Sequence, residues 1–200
     1  MDFLIKICII MFVLLTHEFG HYFEMIKYGI KVKEISIGVG PIILKRRMKN
    51  GIFYIRLIPV LAYVMPQKHL DAQTKGSKIR LKNNIKIYLA GVKVNFILGI
   101  IVYLICYFAY LHLDILYMYH LYTLIDFFEY LNLFCSLSIS CGILNLIPLF
   151  VTDGAKSLNS MLKIVLKSGF LVSLIFYILN IAGIITIIVM FKCNMISFIL

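Results

Sequence analysis

Charge is scarce in this chain of 200 residues, since Asp, Glu, Lys and Arg together make up only 14% of it. Soluble domains carry roughly 25% charged and roughly 45–50% apolar residues, whereas 62% of this sequence is hydrophobic. The composition therefore excludes an ordinary soluble domain and indicates a protein that lies in the lipid bilayer. The five cysteines form no CxxC pair, which argues against a zinc ribbon.

Long apolar runs predict about four transmembrane helices. A bilayer core of about 30 Å needs about 20 apolar residues, and three windows reach that length unaided. A fourth run, near the N-terminus, has no small-x-small cleavage site after it, so we interpret it as a retained helix rather than a signal peptide. We expect an α-helical integral membrane protein with one membrane-embedded domain over 1–200 and helices at about 3–28, 87–112, 127–147 and 170–192.

Lysine and arginine are missing from 113–129, whereas fifteen of the twenty lie between Lys27 and Lys93. Cytoplasmic segments of membrane proteins carry such an excess, so 28–86 is predicted to be cytoplasmic and 114–126 to be outside. The net charge of +11 then reflects topology and not a nucleic-acid partner. Because an Ile-, Lys- and Asn-rich composition without tryptophan favours a bacterial source, we expect a multi-pass protein of the bacterial cytoplasmic membrane.

A different pattern lies between the first two helices. Asn50-Gly51 separates two apolar runs, which is a strong hairpin signal. We predict two to four short strands within 31–65, as a small membrane-associated hairpin or sheet that must be shielded, since open sheet edges are not tolerated in lipid. A polar, basic connector is predicted at 66–83 and a short cytoplasmic amphipathic helix at 155–168.

The polar group HEFGH stands at the end of the first apolar run. His17 and His21 are four residues apart, so one face of a helix presents both imidazoles, which can hold one Zn²⁺ ion. Glu18 would then stand beside the water on the metal and serve as general base. Ionisable residues at the centre of a span cost roughly 2.5–3.5 kcal/mol and mark functional sites by default. The pattern predicts a zinc site with His17 and His21 as ligands and Glu18 as the catalytic residue.

Two carboxylates compete to be the third zinc ligand. Glu24 lies seven residues after His17 on the same helix face, although it can also pair with Lys27 at i,i+3. Asp153 follows a spanning helix that Pro148 ends, and the predicted topology brings it to the same side of the membrane as HEFGH. Asp153 is the better candidate. Its alternative interpretation is that it serves only as a turn residue in the Asp-Gly pair.

Five stretches of the sequence, taken in order, resemble the site-2 intramembrane metalloproteases of peptidase family M50: HEFGH, GIKVKEISIGVGP, LIPVLAYVMP, LAGVKVN and LNLIPLFVTDG. The resemblance covers about residues 9–160 and suggests a minimal bacterial form without a PDZ or regulatory domain. It implies that His17, His21 and Asp153 bind zinc, that Glu18 is the base and that Asn145 contacts the substrate. It also implies that the strands after the first helix hold the substrate as an added strand.

Two places depart from the family pattern. Leu61-Ala62 stands where the family has Gly-Gly before a tyrosine. Gly91-Val92 stands where the family has Gly-Pro ahead of the asparagine of the second helix, which is Asn95 here. Both departures bear on the geometry of the substrate strand more than on metal binding.

We therefore expect a zinc-dependent endopeptidase that hydrolyses a peptide bond in a transmembrane or membrane-embedded substrate near the cytoplasmic face. The alternatives are a catalytically inactive family member, against which intact Glu18 argues, and a membrane zinc-binding protein, which would carry ionisable residues on several helices. A prenyl-protein protease would need a later glutamate ligand, and Glu129 falls on the wrong side of the membrane. A rhomboid-type serine protease would need a GxSxG-like element, which the sequence lacks.

Overall fold

The computed structural model describes residues 2–67, 78–111, 122–149, 152–166 and 169–192. Most of the predicted connector 66–83 and of the predicted outer loop 114–126 lies outside the described residues, as does Cys193. The described part of the chain has five helices and two strands. In chain order they are α1 (Asp2–Lys27), β1 (Val32–Met48), β2 (Gly51–Pro66), α2 (Lys78–Tyr110), α3 (Tyr122–Leu146), α4 (Asp153–Leu166) and α5 (Gly169–Lys192).

Three helices are long and apolar enough to cross a membrane, namely α1, Leu81–Tyr110 of α2 and Asp126–Leu146 of α3. The prediction of a helical membrane protein is confirmed to that extent. For α5, whose helix runs from Gly169 to Lys192, the apolar stretch among the described side chains is the shorter Gly169–Ile185. The described residues thus give three candidate spans where four were predicted.

Two helices begin earlier than the sequence predicted. α2 starts at Lys78 and not at about 87, and α3 starts at Tyr122 and not at about 127. The added turns of α2 read KIRLKNNIK, which is too charged to join a hydrophobic run but contains neither Gly nor Pro. Lysine, arginine and leucine are good helix formers, so the helix continues beyond the part that hydrophobicity marks. The amphipathic helix predicted at 155–168 is present as α4.

The predicted hairpin is present as two long strands in place of several short ones. β1 and β2 pair antiparallel across a turn at Lys49 and Asn50, where Met48 pairs with Gly51. Gly51 has φ +113°, a backbone conformation that residues other than glycine rarely adopt. The Asn-Gly signal therefore marked the hairpin correctly.

The first half of β1 lies inside the sheet. Residues 34–37 pair with 52–55 and also with 62–65, so the two ends of β2 flank this part of β1. Ile35, Ser36 and Ile37 are buried there. Among the described residues, 62–65 pair with β1 only, which makes this end of β2 an edge of the sheet.

α2 is the helix on which α1, α3 and α4 pack, whereas α5 contacts α4. A Cβ at Gly20 would lie 2.7 Å from the backbone oxygen of Ala90, so the backbones of α1 and α2 approach closely there. A buried cluster joins α1, β1 and α2 next to this contact and consists of Tyr22, Met25, Val32, Ile35 and Ile87. These contacts place one face of α1 against the middle of α2.

Candidate metal centre

The two histidines of α1 and an aspartate far away in the chain converge on one point. Nε2 of His17 and Nε2 of His21 are 3.1 Å apart, and each lies 2.9 Å from Oδ2 of Asp153. All three side chains are buried. Within the described part of the chain, they form the only group of three His, Cys, Asp or Glu residues that could hold a metal ion, with ligand atoms within 4.8 Å of one another.

Local structure delivers Asp153 to this point. α3 ends at Leu146, just before Pro148, and α4 begins at Asp153. Oγ1 of Thr152 donates to the backbone oxygen of Leu149 at 2.8 Å and accepts from the N–H of Ala155 at 3.3 Å. A threonine that accepts from an N–H three residues on is a helix N-cap, so Asp153 occupies the first position of α4.

The donor set fits a zinc ion. Two imidazole nitrogens and one carboxylate oxygen are the ligand types of catalytic zinc sites, and bonds of about 2.0–2.1 Å in a tetrahedron place ligand atoms about 3.3 Å apart, close to the spacings seen here. Burial alone would raise the pKa of Asp153. The hydrogen bonds to His17 and His21 and the charge of Lys156 outweigh burial and hold that pKa well below its usual range. An ionised carboxyl is the form that binds a cation.

The backbone of α2 forms one wall of the cluster. A Cβ at Gly91 would lie 2.6 Å from Nε2 of His17 and 2.6 Å from Nε2 of His21, closer than real Cβ atoms come to other atoms. Nδ1 of His21 is 2.7 Å from the backbone oxygen of Ile87, one turn earlier on the same helix. Only a residue without a side chain can occupy position 91 while both ligand nitrogens point toward it.

The remaining predicted site residues line a cavity of about 690 Å³ that opens onto the cluster. Glu18 is half-buried in its wall, next to the two histidines. Asn145 lines it from α3, with Nδ2 donating to the backbone oxygen of Cys141 at 3.1 Å. The edge of the sheet, from Leu61 to Val64, forms another part of the wall. The cavity thus brings together the five predicted site residues, His17, Glu18, His21, Asn145 and Asp153, and not Glu24.

Glu24 lies elsewhere. Its Oε1 is 3.5 Å from Nζ of Lys27, in the i,i+3 pair that was its alternative interpretation, and the Lys27 side chain is 67% exposed. It does not belong to the group of converging ligand atoms. Of the two carboxylates that competed for the third ligand position, the structure brings only Asp153 to the histidines.

Comparison with known proteins agrees with this geometry. The family model for peptidase family M50 matches residues 5–114, which is more than half of the chain. This chain belongs to peptidase family M50. The matched region ends before Asp153, so the third member of the cluster comes from the fold and not from that match.

Several curated relatives of this M50 chain share part of its sequence. The regulator of sigma E protease of Haemophilus influenzae is 35% identical over 117 residues, which is 53% of this chain and 25% of the relative. A Rickettsia conorii protein named with the words zinc metalloprotease is 34% identical over 120 residues, 54% of this chain and 33% of the relative. An Enterococcus faecalis protein with protease in its name is 49% identical over 51 residues, 25% of this chain and 12% of the relative. The chain thus covers at most a third of these relatives.

Some residues around His17, His21 and Asp153 carry no signal of their own in the sequence. The backbone oxygen of Ile87 cannot be found from residue type. Lys156, whose Nζ lies 3.4 Å from Oδ1 of Asp153, looks like one more lysine of an amphipathic helix. Gly91 and Asn95 match the family pattern in the LAGVKVN stretch, but nothing in the sequence predicted that they lie beside the histidines.

Proposed function

We propose that this chain is a zinc-dependent intramembrane endopeptidase of the bacterial cytoplasmic membrane. It would hydrolyse a peptide bond in a transmembrane or membrane-embedded substrate near the cytoplasmic face. In this proposal His17, His21 and Asp153 bind the metal, Glu18 is the catalytic residue and Asn145 contacts the substrate. Three of the relatives named above carry protease in their names, and one of these names includes zinc.

One observation carries the proposal. Two histidines within a candidate membrane span meet an aspartate from a helix more than 130 residues later, and a glutamate lines the same cavity. Burying several ionisable side chains in or beside a span is costly, so such residues mark functional sites by default. Packing alone gives no reason for four polar side chains to share one cavity.

The residues divide the work of hydrolysis between them. A zinc ion held by this set would supply Lewis-acid chemistry and lower the pKa of a bound water from about 15.7 to about 7. Glu18 accepts a proton from the attacking water while the oxygen of that water bonds to the peptide carbon. Glu18 then gives that proton to the leaving nitrogen as the carbon–nitrogen bond breaks, so atoms and charge balance.

The sheet edge supports an extended substrate. Residues 61–64 line the cavity that also contains Glu18, and the edge formed by 62–65 pairs with β1 only, among the described residues. A peptide added along such an edge would form backbone hydrogen bonds and expose its carbonyls. Because Leu61-Ala62 replaces two glycines of the family pattern, this edge carries side chains that a substrate would have to accommodate.

A comparison of three carboxylate variants tests the proposal. We expect about one zinc per chain in the purified wild type, measured by elemental analysis, and cleavage of a model transmembrane substrate. Glu18→Gln should keep zinc but lose activity by about 10²–10⁴-fold, since the amide cannot accept the proton. Asp153→Ala should lower both zinc content and activity.

Glu24→Gln is the matched control, because it removes a carboxylate of the same helix that lies outside the cluster. It should change neither zinc content nor cleavage. If Glu18→Gln still cleaves, the hydrolytic mechanism is wrong. If the wild type binds zinc and cleaves no membrane substrate, the protein is a membrane zinc-binding protein or an inactive family member.

A further inference from the structure

The amide of Asn95 lies against the ring nitrogen of His17 that does not face the cluster. Nδ2 of Asn95 is 3.2 Å from Nδ1 of His17, and Asn95 is completely buried. The other ring nitrogen, Nε2, faces Asp153 and His21. Asn95 therefore contacts a proposed ligand without being one.

The chemistry of the imidazole fixes what this neighbour must offer. A neutral imidazole carries one proton, and the nitrogen that binds a cation must present its lone pair. If Nε2 of His17 binds metal, Nδ1 carries the proton and needs an acceptor. The amide oxygen of asparagine can accept this hydrogen bond, whereas the amide nitrogen can only donate.

We infer that Asn95 is a positioning residue for the metal site, an inference that rests on the proposed function. Its Oδ1 accepts the N–H of His17 Nδ1 and holds the ring in the tautomer that presents Nε2 to the metal. A half-turn of the asparagine amide exchanges its oxygen and nitrogen, and this half-turn brings Oδ1 to face Nδ1 of His17. Oδ1 of Asn95 is buried and has no hydrogen-bond partner among the described residues, so the half-turn breaks no hydrogen bond of the oxygen.

His21 has the equivalent arrangement. Its Nδ1 lies 2.7 Å from the backbone oxygen of Ile87, and a carbonyl oxygen can only accept, so His21 carries its proton on Nδ1 and presents Nε2. Ile87 and Asn95 are eight residues apart on α2, which places them on one helix face about two turns apart, with Gly91 between them. One face of α2 thus offers an acceptor to each histidine.

The backbone of Asn95 is also fastened in place. Oγ of Ser138 on α3 donates to the backbone oxygen of Asn95 at 3.1 Å, and Ser138 is completely buried. This bond joins α3 to the turn of α2 that carries the amide. A side chain that orients a ligand needs such support, because groups outside the ligand set act through the position they impose.

The test is the zinc dissociation constant of the purified chain in detergent, measured by competition with a chromophoric zinc chelator. Asn95→Ala and the similarly sized Asn95→Leu should each weaken zinc binding by about 10–100-fold, the usual effect of losing a partner of a ligand histidine. Asn95→Asp keeps an oxygen acceptor at this place and should bind zinc as tightly as wild type or more tightly. Asn84→Ala, which removes another buried asparagine of α2, is the matched control and should bind zinc like wild type.

The outcomes separate this inference from the proposed function. A wild type that binds no zinc refutes the proposed site itself. A wild type that binds zinc while Asn95→Ala binds it equally well overturns only the role of Asn95. An Asn95→Asp variant that, with the melting temperature of wild type, loses as much affinity as Asn95→Ala overturns the acceptor role.

Discussion

The two halves of α2 differ although they belong to one continuous helix. Between residues 84 and 99 the helix buries positions at helical spacing and forms a wall of the metal cluster. From residue 100 onward the helix presents large apolar side chains to its surroundings. The buried positions are Asn84, Ile87, Ala90, Gly91, Val92, Asn95 and Gly99, and the exposed large ones are Ile100, Ile101, Tyr103, Leu104, Ile105, Tyr107, Phe108 and Tyr110.

The difference shows how a membrane helix divides its surface. Lipid tails are about as apolar as leucine, so burial of apolar side chains between helices gains little there. Small residues and polar groups mark the side that faces other protein instead. In α2 these are the glycines at 91 and 99 and the asparagines at 84 and 95, whereas the lipid-facing half is apolar throughout. Substitutions at the positions of the first half that lie against the histidines, Gly91 and Asn95, should therefore alter the site, and substitutions in the second half should not.

Gly91→Ala should have the largest effect. A Cβ at this position would lie 2.6 Å from Nε2 of both histidines, which is where the metal must sit, so zinc binding and cleavage should both be lost. Gly99→Ala is the control on the same helix, because its Cβ would crowd Cγ1 of Ile139 on α3 at 2.7 Å and would not approach the histidines. Elemental analysis of both variants decides, and zinc retained by Gly91→Ala would contradict the proposed cluster.

Ile87→Ala should have an intermediate effect, on stability. Ile87 is completely buried in the cluster that joins α1, β1 and α2, and truncating such a residue costs about 2–5 kcal/mol. Ile101 is 49% exposed, so Ile101→Ala should lower the free energy of unfolding by less than about 0.5 kcal/mol, as substitutions at surface positions do. Unfolding of both variants in mixed micelles measures the difference. Equal losses would show that the second half of α2 is also covered by protein.

Cysteine labelling should perturb the protein least. It would show which side of the membrane the hairpin and the start of α3 each face. In a background without the five native cysteines, Lys49→Cys at the exposed hairpin turn should react only after the membrane is opened. Asp126→Cys, exposed near the start of α3, should react from outside intact cells. These outcomes follow from the excess of lysine and arginine on the cytoplasmic side. The reverse pattern would place the metal cluster near the outer face.

Much of this architecture was readable because local patterns carry it. Apolar runs located the spanning helices, Asn50-Gly51 located the hairpin turn, and HExxH located two neighbouring imidazoles on one helix face. Helix starts were less accurate, since charged turns such as 78–86 extend a helix without adding hydrophobicity. The predicted count of four spans is not confirmed, since three helices of the described part of the chain qualify as candidate spans.

The sequence by itself determined which residues are costly to bury: His17, Glu18, His21 and Asp153 are ionisable groups in or beside apolar runs, and their spacing limits the chemistry they can do. It left Glu24 and Asp153 as rival ligands, because distance along the chain does not reveal distance in space. Only the tertiary structure shows that Asp153 and not Glu24 lies at the histidines, since α3 ends before Pro148 and Thr152 caps α4. It alone also set Gly91 and the Ile87 carbonyl against the imidazoles, because contacts between helices depend on how the helices pack and not on local sequence pattern.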